Sequence, residues 1–300
     1  MSTSQDANGH DGGRLRILVP LDGSRHSARA AAVAGQLPAT EIVLLHIAQD
    51  DHDAEARGIQ TQLEDIAAPL RSGQRTVEVV VRSGDIAAEI LDVAPDCDLI
   101  VMTTHGRGAA GRILFGSVAD RISRHSTTPT LLIRTGDETT DVPAPSRIVV
   151  PLDGSDLAER ALPIAATIAS GMPRPLHLLR AVGLDEIRTT IQEWRKSGTS
   201  FVEHERTYDE ARQETERRAT TYLAQIAEPL TAQGIEVHTQ LLHGAASFEL
   251  LWNIQPDDLV VITSHGRHGF RRWLLGSVAE KLVREAKAPV LLVPTRERKG

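Results

Sequence analysis

Aromatic residues are scarce in this chain, at 3% of 300 residues. Even so, hydrophobic residues reach 41% and charged residues 24%. That balance excludes global disorder and collagen-like sequence. No apolar run approaches the ~18 residues of a membrane span. Only one cysteine is present, Cys97, so an internal disulfide is excluded and a reducing cytosol fits. The first residues lack an apolar core segment, so no secretory signal is expected and a cytoplasmic location is. Paired cysteines and the His-Glu-x-x-His pattern are missing, which leaves no metal-ligand spacing. The phosphate-loop pattern ending in Gly-Lys-Ser/Thr is missing too. A net charge of −7 and a pI near 5.9 oppose binding to nucleic acid or an anionic membrane.

What is present is a duplication, and length alone already favours about two domains. Val19-Pro20-Leu21-Asp22-Gly23-Ser24 returns as Val150-Pro151-Leu152-Asp153-Gly154-Ser155. Asp98–Ile133 matches Asp258–Val293 without a gap, with about half the positions identical. The period is far longer than that of solenoid repeats, so each copy reads as a domain. Met1–Gly13 is polar and glycine-rich and reads as a disordered tail. Thr135–Ser146 is rich in Thr, Asp and Pro and reads as a linker. The expected domains are therefore residues 14–134 and 147–295.

Short β-rich runs alternate with helical patterns in both copies. In the first, strands are expected at Leu15–Val19, Ile42–Ile47, Val77–Arg82, Leu99–Met102 and Thr130–Ile133. Helices are expected near Ser27–Gln36, Glu55–Leu70, Ile86–Val93 and Ser117–Arg124. In the second, strands are expected at Ile148–Val150, Leu176–Ala181, Ile235–Leu242, Leu259–Ile262 and Val290–Val293. This alternation predicts a doubly wound α/β domain with a mostly parallel sheet covered on both faces. The second copy carries extra sequence at about Asp185–Ala227, with Trp194 and Phe201 flanking a Lys196–Ser200 break and a charged helix from about Glu203. It reads either as a solvated helix with a few packed apolar residues or as a lid or partner-binding arm.

Open parallel sheets bind ligands beyond the carboxyl ends of their strands, where strand order reverses. Two segments per copy qualify: Pro20–Ser24 and Thr103–Ser117, with their counterparts in the second copy. The second segment holds Thr104-His105-Gly106-Arg107, mirrored by Ser264-His265-Gly266-Arg267. It closes on Gly116-Ser117-Val118, mirrored by Gly276-Ser277-Val278. Glycines let backbone N–H groups approach an anion, and a helix start adds unpaired donors and a positive dipole end. Together they suit a phosphate, with Arg107, Arg112, Arg267, Arg271 and Arg272 as added charge. Ser117-x-x-Asp120 and Ser277-x-x-Glu280 also fit ordinary helix capping. Asp22 and Asp153 can accept from a ribose hydroxyl or help hold a metal ion, or they can be plain turn residues. His105 and His265 have no evident triad partner and read as structural or ligand-lining. Cys97 reads as packing.

These motifs, found twice in order, resemble those of universal stress proteins. The resemblance covers nearly everything except the tail and the linker. It implies two tandem five-stranded parallel sheets of order 3-2-1-4-5, similar to adenine nucleotide alpha hydrolases. ATP-binding members carry Gly-x2-Gly-x9-Gly-Ser/Thr. Gly106 with Gly116-Ser117, and Gly266 with Gly276-Ser277, match that pattern, while Thr103 and Thr263 stand where its first glycine would be. By resemblance, the nucleotide-binding residues are Pro20, Asp22, Ile42, Thr104, His105, Gly106, Arg107, Gly116, Ser117 and Val118. In the second copy they are Pro151, Asp153, Leu176, Ser264, His265, Gly266, Arg267, Gly276, Ser277 and Val278. The resemblance places the adenine against the backbone near Asp22 and Ile42, and near Asp153 and Leu176 in the second copy, and Mg²⁺ would bridge the phosphates.

The resemblance implies an ATP-binding regulator of stress response, without assigned catalytic residues and with slow ATP hydrolysis at most. The alternative is a dimeric scaffold that binds no nucleotide and acts through protein contacts; Thr103 and Thr263 favour it. An adenylating enzyme is not supported, because Ser-Gly-Gly-x-Asp-Ser and His-x-Gly-His patterns are both missing. The glycine-richer first loop favours nucleotide in the first copy, since the second has His268, Phe270 and Trp273. The last strands, Thr130–Ile133 and Val290–Val293, are apolar edges that need a partner. They are expected to join the copies as a pseudo-dimer, with a further homodimer as an extension.

Overall fold

The computed structural model describes residues 14–48, 53–104, 116–134, 143–196, 204–265 and 275–295, without the side chains of 53–57 and 204–206. The first half runs β1 (Leu15–Leu21), α1 (Arg25–Gln36), β2 (Ala39–Ala48), α2 (Asp53–Ala67), β3 (Thr76–Ser83), α3 (Ile86–Val93), β4 (Leu99–Thr104), α4 (Ser117–His125) and β5 (Thr130–Arg134). The second runs β6 (Arg147–Pro151), α5 (Asp156–Glu159), α6 (Leu162–Gly171), β7 (Leu176–Val182), α7 (Leu184–Lys196), α8 (His204–Ala232), β8 (Val237–His243), α9 (Ala246–Asn253), β9 (Asp258–Thr263), α10 (Ser277–Glu285) and β10 (Val290–Val293). Among the described residues, no helix is long and apolar enough to cross a membrane.

The ten strands form one sheet in the order β3-β2-β1-β4-β5-β10-β9-β6-β7-β8. Each half has the expected 3-2-1-4-5 order, and its own strands are parallel. The halves meet through β5 and β10, which pair antiparallel with Leu131 opposite Leu291. Both residues are buried, so each apolar edge strand finds its partner in the other copy.

Central strands are hydrophobic on both faces because helices cover both. All six residues of β9 are buried. The edge strand β3 instead alternates with exposed positions. One face of the sheet packs under α1, α2, α6 and α8, through residues such as Ala30, Leu63, Ile168 and Leu223. The other packs under α3, α4, α9 and α10, through Ile90, Ile122, Leu250 and Leu282. A charge lies deep in this core. Asp258 is 1% exposed and receives Nε and Nη2 of Arg147 at 2.6 and 3.0 Å, together with the backbone N–H of Gln255 at 2.7 Å.

The extra sequence of the second copy forms two helices. α7 packs on α8 and the pair closes over the carboxyl end of β7, burying Val182, Ile187, Ala211 and Ala219 with Trp194 and Ile191 against them. Arg218 of α8 reaches Glu193 of α7 at 2.8 Å. The insertion is thus a packed hairpin with a small core of its own, rather than one solvated helix. Ser197–Ser200 of the break and Phe201 lie outside the described residues, as do 1–13 of the tail and 135–142 of the linker.

Candidate functional site

The site lies where strand order reverses, between β1 and β4 and again between β6 and β9. β1 pairs β4 only at Ile17 and Leu18, while its pairing with β2 continues to Leu21. Pro20 has no N–H with which to extend a ladder. Likewise β6 pairs β9 only from Arg147 to Val149, while its pairing with β7 runs on to Pro151. Each proline therefore sits where two neighbouring strands part, and the parting opens a crevice.

Asp22 and Asp153 follow these prolines on tight turns. Asp22 Oδ1 accepts the N–H of Ser24 at 2.9 Å, and Asp153 Oδ1 accepts the N–H of Ser155 at 3.0 Å and its hydroxyl at 2.6 Å. The intervening glycines, Gly23 and Gly154, have φ of +78° and +81°, a conformation that disfavours a Cβ. Ser24 and Ser155 then cap α1 and α5 by accepting the N–H groups of Ser27 and Ala158 at 3.1 and 3.2 Å. One oxygen of each aspartate thus shapes its turn, so the turn role holds for both.

α4 and α10 begin differently. Gly116 and Gly276 occupy their N-cap positions with extended backbone, and no side chain caps either helix. The capping role expected for Ser117 and Ser277 is not realised. Each serine is the first helical residue, one position too late to cap. Asp120 instead pairs with Arg124 at 2.8 Å. The first amides of both helices thus keep the donor character that an anion prefers. Ser117 and Ser277 are exposed, and Val118 and Val278 are half-buried beside them.

Opposite these helix starts, the ends of β4 and β9 are tightly held. Thr104, Thr263 and Ser264 are buried. Thr263 Oγ1 donates to the carbonyl of His265 at 2.8 Å. This residue, in place of the motif glycine, ties the strand end to the loop that leaves it. The Ser264 hydroxyl lies 3.1 Å from His265 Nδ1, and His265 Nε2 is buried without a partner among the described residues. His105, Gly106, Arg107, Gly266 and Arg267 lie outside the described residues, as do Arg112, His268, Phe270, Arg271, Arg272 and Trp273. Among the described residues, no cluster of three or more His, Cys, Asp or Glu is placed to hold a metal ion.

Two expected contacts lie elsewhere. Ile42 and Leu176 are wholly buried within the sheet, aligned with Ile17 and Ile148 near the strand starts. They are several residues below the crevice, so the backbone there does not line it. The strand partner of Leu21 is His46, and in the second half Arg180 follows Leu179, the partner of Pro151. His46 Nδ1 lies 2.8 Å from the Leu21 carbonyl. Extending the strand register shows that the level of His46 and Arg180, and not that of Ile42 and Leu176, is the level of the strand ends.

A family model described as the universal stress protein family matches residues 13–134 and 145–294. The chain is 26% identical to a universal stress protein of Mycolicibacterium smegmatis, over 93% of this chain and 97% of that one. It is 27% identical to a universal stress protein of Mycobacterium tuberculosis strain H37Rv, over 80% and 73% of the two. Among solved structures, a universal stress protein from Archaeoglobus fulgidus superposes with a TM-score of 0.63 at 20% identity, covering 93% of this chain and 96% of the other. That likeness shows the shared fold.

Proposed function

This chain belongs to the universal stress protein family, and on that premise we propose that it is an adenine-nucleotide-binding regulator acting in the cytoplasm. The ligand is ATP, with Mg²⁺ bridging its phosphates. The observation that carries the reading is the pair of helix starts at Gly116 and Gly276. Both lack a side-chain cap and both stand beside a switch-point crevice. The described half of each site therefore suits a phosphate group: the amides of Ser117 and Val118, or of Ser277 and Val278, would donate to it. Asp22 and Asp153, on the turns after β1 and β6, would meet the ribose. Binding would alter the surface offered to partners.

A second reading is a scaffold that binds no nucleotide. One bond favours it: the N–H of Gly276 already donates to the carbonyl of Ser264 at 2.8 Å, so that amide is not available to a ligand. Native mass spectrometry of freshly purified protein separates the two. The nucleotide reading predicts a retained adenosine-phosphate mass, lost in a Gly116→Trp, Gly276→Trp double variant whose fold is intact by circular dichroism. Protein that carries no such mass, and takes none up from ATP–Mg²⁺, supports the scaffold.

A further inference from the structure

The carboxyl end of β7 carries a buried cation with donors to spare. Arg180 is 6% exposed. Its Nη2 donates to Glu186 at 2.9 Å, and its guanidinium carbon lies 5.4 Å from the centre of the Tyr222 ring. Its Nε and Nη1 are buried and have no acceptor among the described residues. Leaving such a group unsatisfied costs about 1–3 kcal/mol, and more when it is charged.

Arg180 lines a cavity of about 300 Å³ between the Gly154 turn and the α7–α8 hairpin, at the lower end of the size range of small-molecule sites. The other polar groups on its wall are already engaged. Glu186 holds Arg180, and Glu193 holds Arg218 at 2.8 Å. Thr190 and Thr215 lie 2.8 Å apart through their hydroxyls, and Thr215 donates to the Ala211 carbonyl at 2.7 Å. The wall's buried polar atoms that lack a partner among the described residues are N–H donors of the Arg180 guanidinium. They call for an acceptor, and a carboxylate or phosphate oxygen is the acceptor that matches them.

In the first copy the corresponding residues are engaged with the strand-end turn. His46 stands at the position of Arg180 and engages the Leu21 carbonyl. Gln62, seven residues before Pro69 as Tyr222 is before Pro229, donates to the Gly23 carbonyl at 2.9 Å. The cavity is not the nucleotide crevice. Arg180 alternates with Leu176 and Leu178 on the face packed under α8, whereas α10 packs on the opposite face.

We propose that this cavity is a second ligand site, which takes a small metabolite presenting a carboxylate or phosphate oxygen to Arg180. The test is nitrogen–proton correlation NMR of arginine Nε–H groups in the full chain, with the Arg180 signal identified by its loss in Arg180→Lys. The probes are malonate and inorganic phosphate, each titrated at constant ionic strength against sodium chloride. The signal should shift saturably with at least one probe, and which probe acts identifies the headgroup. Thr189→Trp, a change at an exposed position on the cavity wall, should abolish the shift without lowering the melting temperature. The proposal is overturned if neither probe gives a saturable shift, or if the shift survives in Thr189→Trp or appears with chloride alone. A shift produced by ATP–Mg²⁺ and by neither probe would assign the cavity to the nucleotide site, and that too overturns it. Loss of nucleotide binding in the Gly116 and Gly276 variants leaves this outcome unaffected.

Discussion

The backbone N–H of Gly276 donates to the carbonyl of Ser264 at 2.8 Å, joining the carboxyl end of β9 to the start of α10. The base of the intervening loop is thereby closed, and the amide of Ser277 is the first that α10 leaves without an internal acceptor. Its contribution can be isolated. Proline is tolerated at the first helical position, and Gly276 has the extended backbone, at φ −60° and ψ 147°, that a residue before proline needs. Ser277→Pro should therefore keep the fold and delete one donor. Ionic hydrogen bonds contribute about 1.5–3 kcal/mol, so ATP affinity at that site should fall roughly ten- to a hundredfold by calorimetry. Ser277→Ala, which keeps the amide, should change it much less.

Buried Asp258 and the partly exposed Arg147 form the ion pair that anchors β6 to β9. The Arg147 guanidinium is held more firmly protonated by its bonds to Asp258. Asp258→Ala would leave Arg147 its bond to the Asn253 carbonyl and its contact with water, and would free the N–H of Gln255. Losing hydrogen bonds to a charged group costs about 1.5–3 kcal/mol. Urea unfolding should show a loss of that size, against a change within about 0.5 kcal/mol for an exposed substitution such as Asp185→Ala.

Cys97 is 1% exposed, and burial pushes its thiol up to about 11. The thiolate is the reactive form. Native protein at pH 8 should therefore react negligibly with a disulfide-exchange reagent, and protein in urea should react with one equivalent. Rapid native labelling would mean that the strand edge at Cys97 opens.

Glu214 on α8 accepts from Arg217 and Arg218 at 2.7 to 2.9 Å. These bonds lower its pKa from an ordinary 4.5 to about 2. A lowered carboxylate stabilises the fold above its unfolded value, and that contribution fades as pH falls from about 4.5 toward 2. The pair is near the surface, so the effect is small. Glu214→Gln should flatten that acid limb of the melting-temperature profile and leave the neutral range almost unchanged.

Much of this architecture is legible in the residues, and the misses share a cause. Ile86–Val93 and Val290–Val293 begin and end as expected, because the apolar runs stop at turn residues. Ile42 is misplaced because a strand's start does not reveal which of its residues reaches the crevice. That depends on pairing with β1, a long-range relationship. The capping pattern at Ser277 and Glu280 misleads because the extended backbone of Gly276 takes the cap position. The cavity beside Arg180 needs α7, α8 and the Gly154 turn together, and no local pattern announces such a meeting.

The account depends on the amides at two helix starts meeting a phosphate. Amide NMR of the ¹⁵N-labelled chain during titration with ATP–Mg²⁺ tests this most directly. Saturable shifts should centre on Ser117 and Val118, on Ser277 and Val278, or on both pairs. Bound ATP that leaves all four amides unmoved would contradict it.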